Sequence, residues 1–266
     1  MVLTGSILLS GASMQASAFT TSLPWGTGAS TTTLTCATFS ANCGVGTGPI
    51  GSGPSVDNYQ NEPAFSDVSD ARGNATAYSF FSDSNGLAAI HLKGQANGTT
   101  GIAEATATGL NSYTYSGSSS TIKTLNIALS GTITDPNNNA FTELTASVYI
   151  FDSQFLLPET VFLSGYLGEG LFPSAEAHLS IGGSDPANTS IDIDIDPNET
   201  FTIWAILNTN AGPGASVQAM NSLELSFSDN SGLSSAAPVS AVPVPAAAWL
   251  FMTAILTVFT APRRKL

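Results

Sequence analysis

The stretch TIKTLNIALSGTIT, Thr121 to Thr134, decides the fold class. Leu125, Ile127, Leu129 and Ile133 share one parity, while Asn126, Ala128, Ser130 and Thr132 share the other. A period of two with one apolar and one polar side is the signature of a strand buried on one face. The pattern recurs outward from this stretch. Leu223, Leu225 and Phe227 alternate with Glu224, Ser226 and Ser228; Ala177, Leu179 and Ile181 alternate with Glu176, His178 and Ser180. Phe201, Ile203, Ala205 and Leu207 form one face of another strand whose opposite face carries Trp204 and Ile206, which predicts a central strand covered on both sides. Further strands are expected near 31–39, 75–81, 87–93, 102–108, 145–152, 160–167 and 190–195.

Turn chemistry separates these segments: Ser84-Asn85-Gly86, Asn97-Gly98, Asp135-Pro136-Asn137, Asp185-Pro186, Asp196-Pro197-Asn198 and Gly212-Pro213-Gly214. About ten short strands without an amphipathic helix predict an all-β fold, an antiparallel sandwich or jelly roll. The expected sandwich spans 61–232. Residues 19–60 read as a Gly/Ser/Thr-rich segment, with long loops over 26–55 around two cysteines. Residues 233–241 read as a small-residue linker.

Of 266 residues, 42% are hydrophobic and only 9% are charged, with 19 acids against 6 bases. Arg263, Arg264 and Lys265 hold half of those bases, so the rest of the chain sets Arg72, Lys93 and Lys123 against every acid, a net of −16. Such a body has no basic surface for nucleic acid or anionic lipid.

Residues 1–18 read as a signal peptide. Val2, Leu3, Ile7, Leu8 and Leu9 form the apolar part, and Ala16-Ser17-Ala18 offers a cleavage site after Ala18. The segment lacks a Lys or Arg before the apolar run, so a disordered N-terminus or a different start codon stays open. Cys36 and Cys43 are the two cysteines. In an exported chain they predict a disulfide, stabilising by ~2–3 kcal/mol through the loop it closes; two free thiols are the alternative. A metal site would need further Cys or His ligands nearby, and the only histidines are His91 and His178.

No catalytic motif stands out, and no cofactor is expected. G-x-S-x-G, H-E-x-x-H and a Walker loop are all missing. His91 and His178 lie on the polar parity of their strands, which reads as solvent-facing. Asp192, Asp194 and Asp196 alternate with Ile191, Ile193 and Ile195. This row either binds Ca²⁺ with added loop oxygens or is a solvated strand whose like charges discourage edge pairing. It fails the EF-hand pattern at Pro197 and Ile203. Tyr113, Tyr115, Tyr149 and Tyr166 are candidates for a sugar-stacking platform, with core positions as the alternative. Leu157-Pro158-Glu159-Thr160 spells part of a sortase motif but is followed by more than 100 residues, and reads as a strand–turn–strand junction.

The C-terminus has three parts in order. Val242-Pro243-Val244-Pro245-Ala246 is stiff and extended, because each proline fixes its own φ and restricts the residue before it. Ala246 to Ala261 carries no charge and predicts a short transmembrane helix. Arg263, Arg264 and Lys265 form a membrane stop that holds the end in the cytoplasm. This pattern resembles the PEP-CTERM family of protein-sorting signals in its VPLPA-type variant, through Val242, Pro243, Pro245, Ala246, the apolar run with Trp249 and the basic end. Val244 departs from the Leu of that variant. The resemblance covers 242–266, about a tenth of the chain. It implies a Gram-negative bacterium that makes exopolysaccharide, recognition by an exosortase-type processing enzyme, passage through the inner membrane as a precursor, and delivery to the cell surface or extracellular matrix. A plain single-pass anchor and a GPI signal are the competing readings of the segment. The expected role of the body is structural or adhesive in a biofilm or exopolysaccharide matrix rather than catalytic. A surface-anchored carbohydrate-binding sandwich is the alternative, with exopolysaccharide as a further partner.

Overall fold

The computed structural model describes residues 25–35, 51–52, 56–58, 63–139, 141–152, 172–182 and 186–238. These form fifteen strands: β1 (Trp25–Thr35), β2 (Gly51–Ser52), β3 (Val56–Asn58), β4 (Ala64–Asp70), β5 (Gly73–Ser84), β6 (Leu87–Gly98), β7 (Gly101–Tyr115), β8 (Thr121–Leu129), β9 (Thr132–Thr134), β10 (Glu143–Phe151), β11 (Ala175–Ile181), β12 (Ala187–Ile195), β13 (Thr200–Ala211), β14 (Ser216–Phe227) and β15 (Leu233–Ser235). Every pairing between strands is antiparallel. An eight-stranded sheet has the order β11-β10-β13-β7-β1-β2, with β15 on β7 and β3 on β1; a seven-stranded sheet has the order β12-β8-β14-β6-β5-β4, with β9 on β14. The two sheets pack face to face as a sandwich.

The alternation read from the sequence is what fills the space between them. On β8, Leu125, Ile127 and Leu129 are buried. Facing them across the core are Phe201, Ile203, Ala205 and Leu207 of β13, with Leu144, Ala146, Val148 and Ile150 of β10. Trp204 and Ile206, on the opposite face of β13, are also fully buried, so this strand is covered on both sides as expected. Asn85 and Gly86 both take positive φ, 55° and 84°, which makes the predicted Asn-Gly turn a two-residue hairpin between β5 and β6. Asn198 (φ 63°) and Gly214 (φ 76°) shape the Asp196 and Gly212 turns in the same left-handed region.

One region of the core is built from very small side chains. Ala103, Ala105, Ala107 and Gly109 of β7 face Ala75 and Ala77 of β5 and Ala96 of β6, all buried. A Cβ on Gly109 would lie 2.5 Å from Ile90 Cγ2, and one on Gly94 would lie 2.8 Å from Thr209 Cγ2. The absence of side chains at these two glycines therefore sets how closely the sheets approach.

Several boundaries differ from the sequence reading. The strand expected near 31–39 starts and ends earlier: β1 pairs with β7 along its whole length from Trp25↔Asn111 to Thr35↔Gly101, and so takes up part of the segment also expected as loops over 26–55. Polarity hid its start: Thr27 is buried, and β-branched threonine suits a strand as well as valine does. The expected linker 233–241 begins inside the sheet, because Leu233–Ser235 pairs with β7 and the Ala237 N–H donates to Asn111 Oδ1 at 3.0 Å. The strand expected at 160–167 and the transmembrane helix expected from Ala246 lie outside the described residues. Among the described residues no helix is long and apolar enough to cross a membrane.

The alternation of β8 also conceals a charge. Lys123 sits on the inward parity and is only 4% exposed. Its Nζ donates to Asp229 Oδ2 at 2.6 Å and to Ser231 Oγ at 3.2 Å, with the Tyr115 ring 5.8 Å away. The Lys123 ammonium, then the N–H and hydroxyl of Ser231, hold the Asp229 carboxyl well below the usual carboxylate range. A depressed carboxyl pKa contributes stability that is fully present above its unfolded value of about 4 and is lost as pH falls toward the folded value. Asp229→Asn should therefore lower Tm at pH 6, and the gap to wild type should narrow below about pH 4 in thermal scans. A gap that is independent of pH would contradict this account. Gly109→Ala should destabilise the fold by about 1–3 kcal/mol in chemical denaturation, because the added methyl must push the sheets apart. Gly182→Ala, where a Cβ meets nothing within 4 Å, is the matched control.

Candidate functional site

Two cavities bear on function. The larger, about 510 Å³, lies at the open side of the sandwich where β11 and β12, the edge strands of the two sheets, come together. Ser120, Ile122, Ile150, Asp152, Ser174, Asp192, Asp194, Asp196 and Glu199 contribute to its lining. The predicted Asp row is thus real, and it borders a cleft. Its members are tied to neighbours instead of converging. Thr124 Oγ1 donates to Asp192 at 2.7 Å, Ser120 Oγ donates to Asp196 at 2.6 Å, and the Asp196 N–H donates to Glu199 Oε2 at 2.7 Å. Among the described residues no group of three or more His, Cys, Asp or Glu is placed to hold a metal ion.

The second cavity, about 310 Å³, lies on the outer face of the seven-stranded sheet. Its origin is a defect in pairing. Ala219 opposes Gly94 and Leu223 opposes Leu92, so β14 carries two extra residues between them. Below this bulge β14 also pairs with β9, and above it with β8. The register of β6 with β14 runs no farther than His91↔Glu224. Beyond that pair the strands part, leaving a groove lined by Ser82, Asp83 and Ser84 of β5, by Ala89, Ile90 and His91 of β6, and by Glu224, Leu225 and Ser226 of β14.

An aromatic row runs up to the end of this groove. Phe65 and Tyr78 have centroids 6.3 Å apart, Tyr78 and Phe80 5.0 Å, and Phe80 and His91 4.5 Å with planes inclined by only 18°. Lys93 Nζ lies 5.5 Å from the Phe80 centroid. His91 Nε2 is 3.5 Å from Glu224 Oε1. Burial lowers the His91 pKa; Glu224 opposes that shift and Lys93 adds to it. His91 is therefore the neutral imidazole at pH 7, able to donate from one nitrogen and accept at the other.

The tyrosines proposed as a stacking platform do not form one. Tyr113, Tyr115 and Tyr149 are buried, and the Tyr113 hydroxyl donates to the Ala88 carbonyl at 2.9 Å. Burial accordingly pushes the Tyr113 pKa up. Tyr166 lies outside the described residues, as do Cys36, Cys43, Ala16, Ala18, Val242, Pro243, Pro245, Ala246, Arg263, Arg264, Lys265 and the 157–160 stretch.

One arrangement resembles a catalytic set. Ser147 Oγ and His178 Nδ1 are 2.9 Å apart, and His178 Nε2 is 3.7 Å from Glu176 Oε2. The imidazole and carboxylate are more than half exposed, and the set lies flat on the sheet. Ser147 is in the middle of β10, between β11 and β13, so the surrounding N–H groups serve the ladders and leave no donors for an oxyanion. Glu104, on the outer face of β7, has its pKa raised by burial first and by Glu143 second. Neither of these two acids lines the cavities above.

No family model and no curated protein matches this chain. Among solved structures, an alignment to a chain of the cryo-EM structure of broad bean stain virus covers 82% of this chain and 90% of that one, at 9% identity and a TM-score of 0.24, too low to equate the two folds.

The side-chain bonds within the Asp row give it a ready test. If Asp192, Asp194 and Asp196 are a solvated face, 1 mM Ca²⁺ should leave Tm nearly unchanged. A site with a dissociation constant near a tenth of that concentration would add about 1.4 kcal/mol, and Asp194→Asn would abolish the gain.

Proposed function

We propose that this chain is an exported cell-surface or matrix protein whose C-terminal segment is a sorting signal, and that its β body has a structural or adhesive role. The single observation that carries this reading is the order of three parts within 242–266: a proline-stiffened motif, sixteen uncharged residues and a basic end. Reversing the topology would drag Arg263, Arg264 and Lys265 through hydrocarbon at ~2.5–3.5 kcal/mol each. The stop therefore holds the motif Val242–Ala246 at the outer boundary, where an exosortase-type enzyme can grip an extended chain. The body suits life outside the cell in that its outer faces carry Ser, Thr, Asn and Asp rather than a charged mosaic. A second reading, a carbohydrate-binding sandwich, is favoured by the acceptor-rich groove between β6 and β14.

The test uses two tags on the full chain. A tag after Leu266 should appear in the inner-membrane precursor and be missing from surface or matrix material. A tag inserted between Val239 and Ala241, clear of β15, should survive in both. Replacing Pro243 and Pro245 by Ala should trap the precursor in the membrane. Surface protein that keeps its C-terminal tag would make the segment an ordinary anchor.

A further inference from the structure

We infer that the groove where β6 and β14 part is a binding site for an uncharged pyranose unit of a polysaccharide. This rests on the second reading above and gives it a place and a ligand class.

The chemistry of the lining selects the ligand. Asp83 and Glu224 present carboxylates, Ser82, Ser84 and Ser226 present hydroxyls, and His91 presents an imidazole. One Asp83 oxygen is already used by the Gly86 N–H at 2.6 Å, which ties this carboxylate to the β5–β6 turn beside the groove. Among the described residues no lysine or arginine lines the groove; Lys93 lies beyond its His91 end, over the Phe80 ring. A site rich in acceptors and devoid of cations favours a molecule that offers many O–H donors and no negative charge. The body's net charge of −16 repels polyanions in the same direction.

Shape agrees with chemistry. The floor carries the methyl of Ala89 between polar walls, while Ile90 and Leu225 line it from strands whose apolar side chains turn into the core. A pyranose has that division, with C–H groups on its faces and hydroxyls around its rim. His91 closes one end, and its ring is held upright by stacking on Phe80. A volume of about 310 Å³ is at the small end of ligand pockets, enough for one or two sugar rings. A cation is a poor alternative, since no three acids or histidines here come close enough to hold one.

The site is also built to keep its form. Ala88, beside the floor, is anchored from the inner side: its carbonyl accepts from Asn111 Nδ2 and Tyr113 Oη, each at 2.9 Å, and its N–H donates to Ser235 Oγ at 3.2 Å. Asn230 Nδ2 donates to the carbonyls of Ser84 and Asn85 at 3.3 and 3.0 Å. These bonds take the place of strand pairing where β6 leaves β14.

The experiment is an NMR titration of the full-length protein in detergent with short neutral oligosaccharides (glucan, mannan and galactan fragments) and with a galacturonan fragment as the anionic contrast. A neutral fragment should shift the amides of 82–91 and 224–226. Ala89→Phe, which fills the floor from a solvent-side strand position, should abolish the shifts. Glu224→Gln should weaken binding roughly tenfold or more, as loss of a charge-assisted bond does, and it serves alone if Ala89→Phe misfolds. The inference is overturned if no neutral fragment binds, if the galacturonan binds as well, or if a folded Ala89→Phe binds unchanged. Shifts confined to the Phe65 end of the aromatic row would keep the carbohydrate-binding reading and remove this site. Binding by a peptide of the same length instead of sugars would remove both, while the sorting reading stands or falls on its own tags.

Discussion

The closest approach of the two sheets, along the inner face of β7, is the constraint on which the sandwich depends. Alanines at 103, 105 and 107 and the bare Cα of Gly109 let β5 and β6 come within van der Waals reach of the eight-stranded sheet. Toward the other end of β7, Tyr113 and Tyr115 take over, and the core widens to admit Phe201, Phe227 and the isoleucines of β12. The sandwich is thus a wedge, thin where side chains are small and thick where they are aromatic. In the thick part, polar groups must be satisfied from within. Asn111 and Tyr113 do so by bonding the Ala88 carbonyl of β6, and Lys123 by bonding Asp229 just beyond β14.

Placement of charge follows from this architecture. β12, β11 and β4 are edges of their sheets, and each directs acids outward: Asp192 and Asp194, Glu176, and Asp67. An edge strand with a row of like charges is a poor template for a second copy. The groove arises by a different route: β14 serves β9 on one side of its bulge and β8 on the other, and the first residues of β6, 87–90, have no β14 partner.

What could be read in advance follows the same division. Leu125, Ile127 and Leu129, or Phe201 to Leu207, announce themselves because inward position and hydrophobicity coincide. Trp204 and Ile206 signal a doubly covered strand for the same reason. Only the second half of β1 was legible, because Trp25–Ser30 carries Gly, Thr and Ser where an apolar alternation would announce a strand. Lys123 escaped because its partner lies 106 residues away, and nothing local warns that an inward lysine is satisfied. The groove combines residues of β5 and β6 with residues of β14 well over a hundred positions later, and its cause is a slip in register. The tyrosines could be read only as two alternatives, platform or core, of which burial of Tyr113, Tyr115 and Tyr149 gives the second: a ring at strand parity is visible in sequence, but which sheet face is covered is a property of the assembled sandwich.

The scarcity of bases in the body has a consequence for its resistance to proteolysis. Proteases that cut after lysine or arginine need several residues of unpaired, extended chain on either side of the bond. The body offers them Arg72, Lys93 and Lys123. Arg72 is clamped in a tight turn by the Asp70 carboxylate, Lys93 is in the middle of β6, and Lys123 is nearly sealed in the core. The bonds after Lys93 and Lys123 become accessible only when their strands leave the sheet, and the one after Arg72 only when its turn opens, so digestion by such enzymes is limited by local unfolding instead of by encounter. The described body thus presents a trypsin-like enzyme with almost nothing to cut while it stays folded.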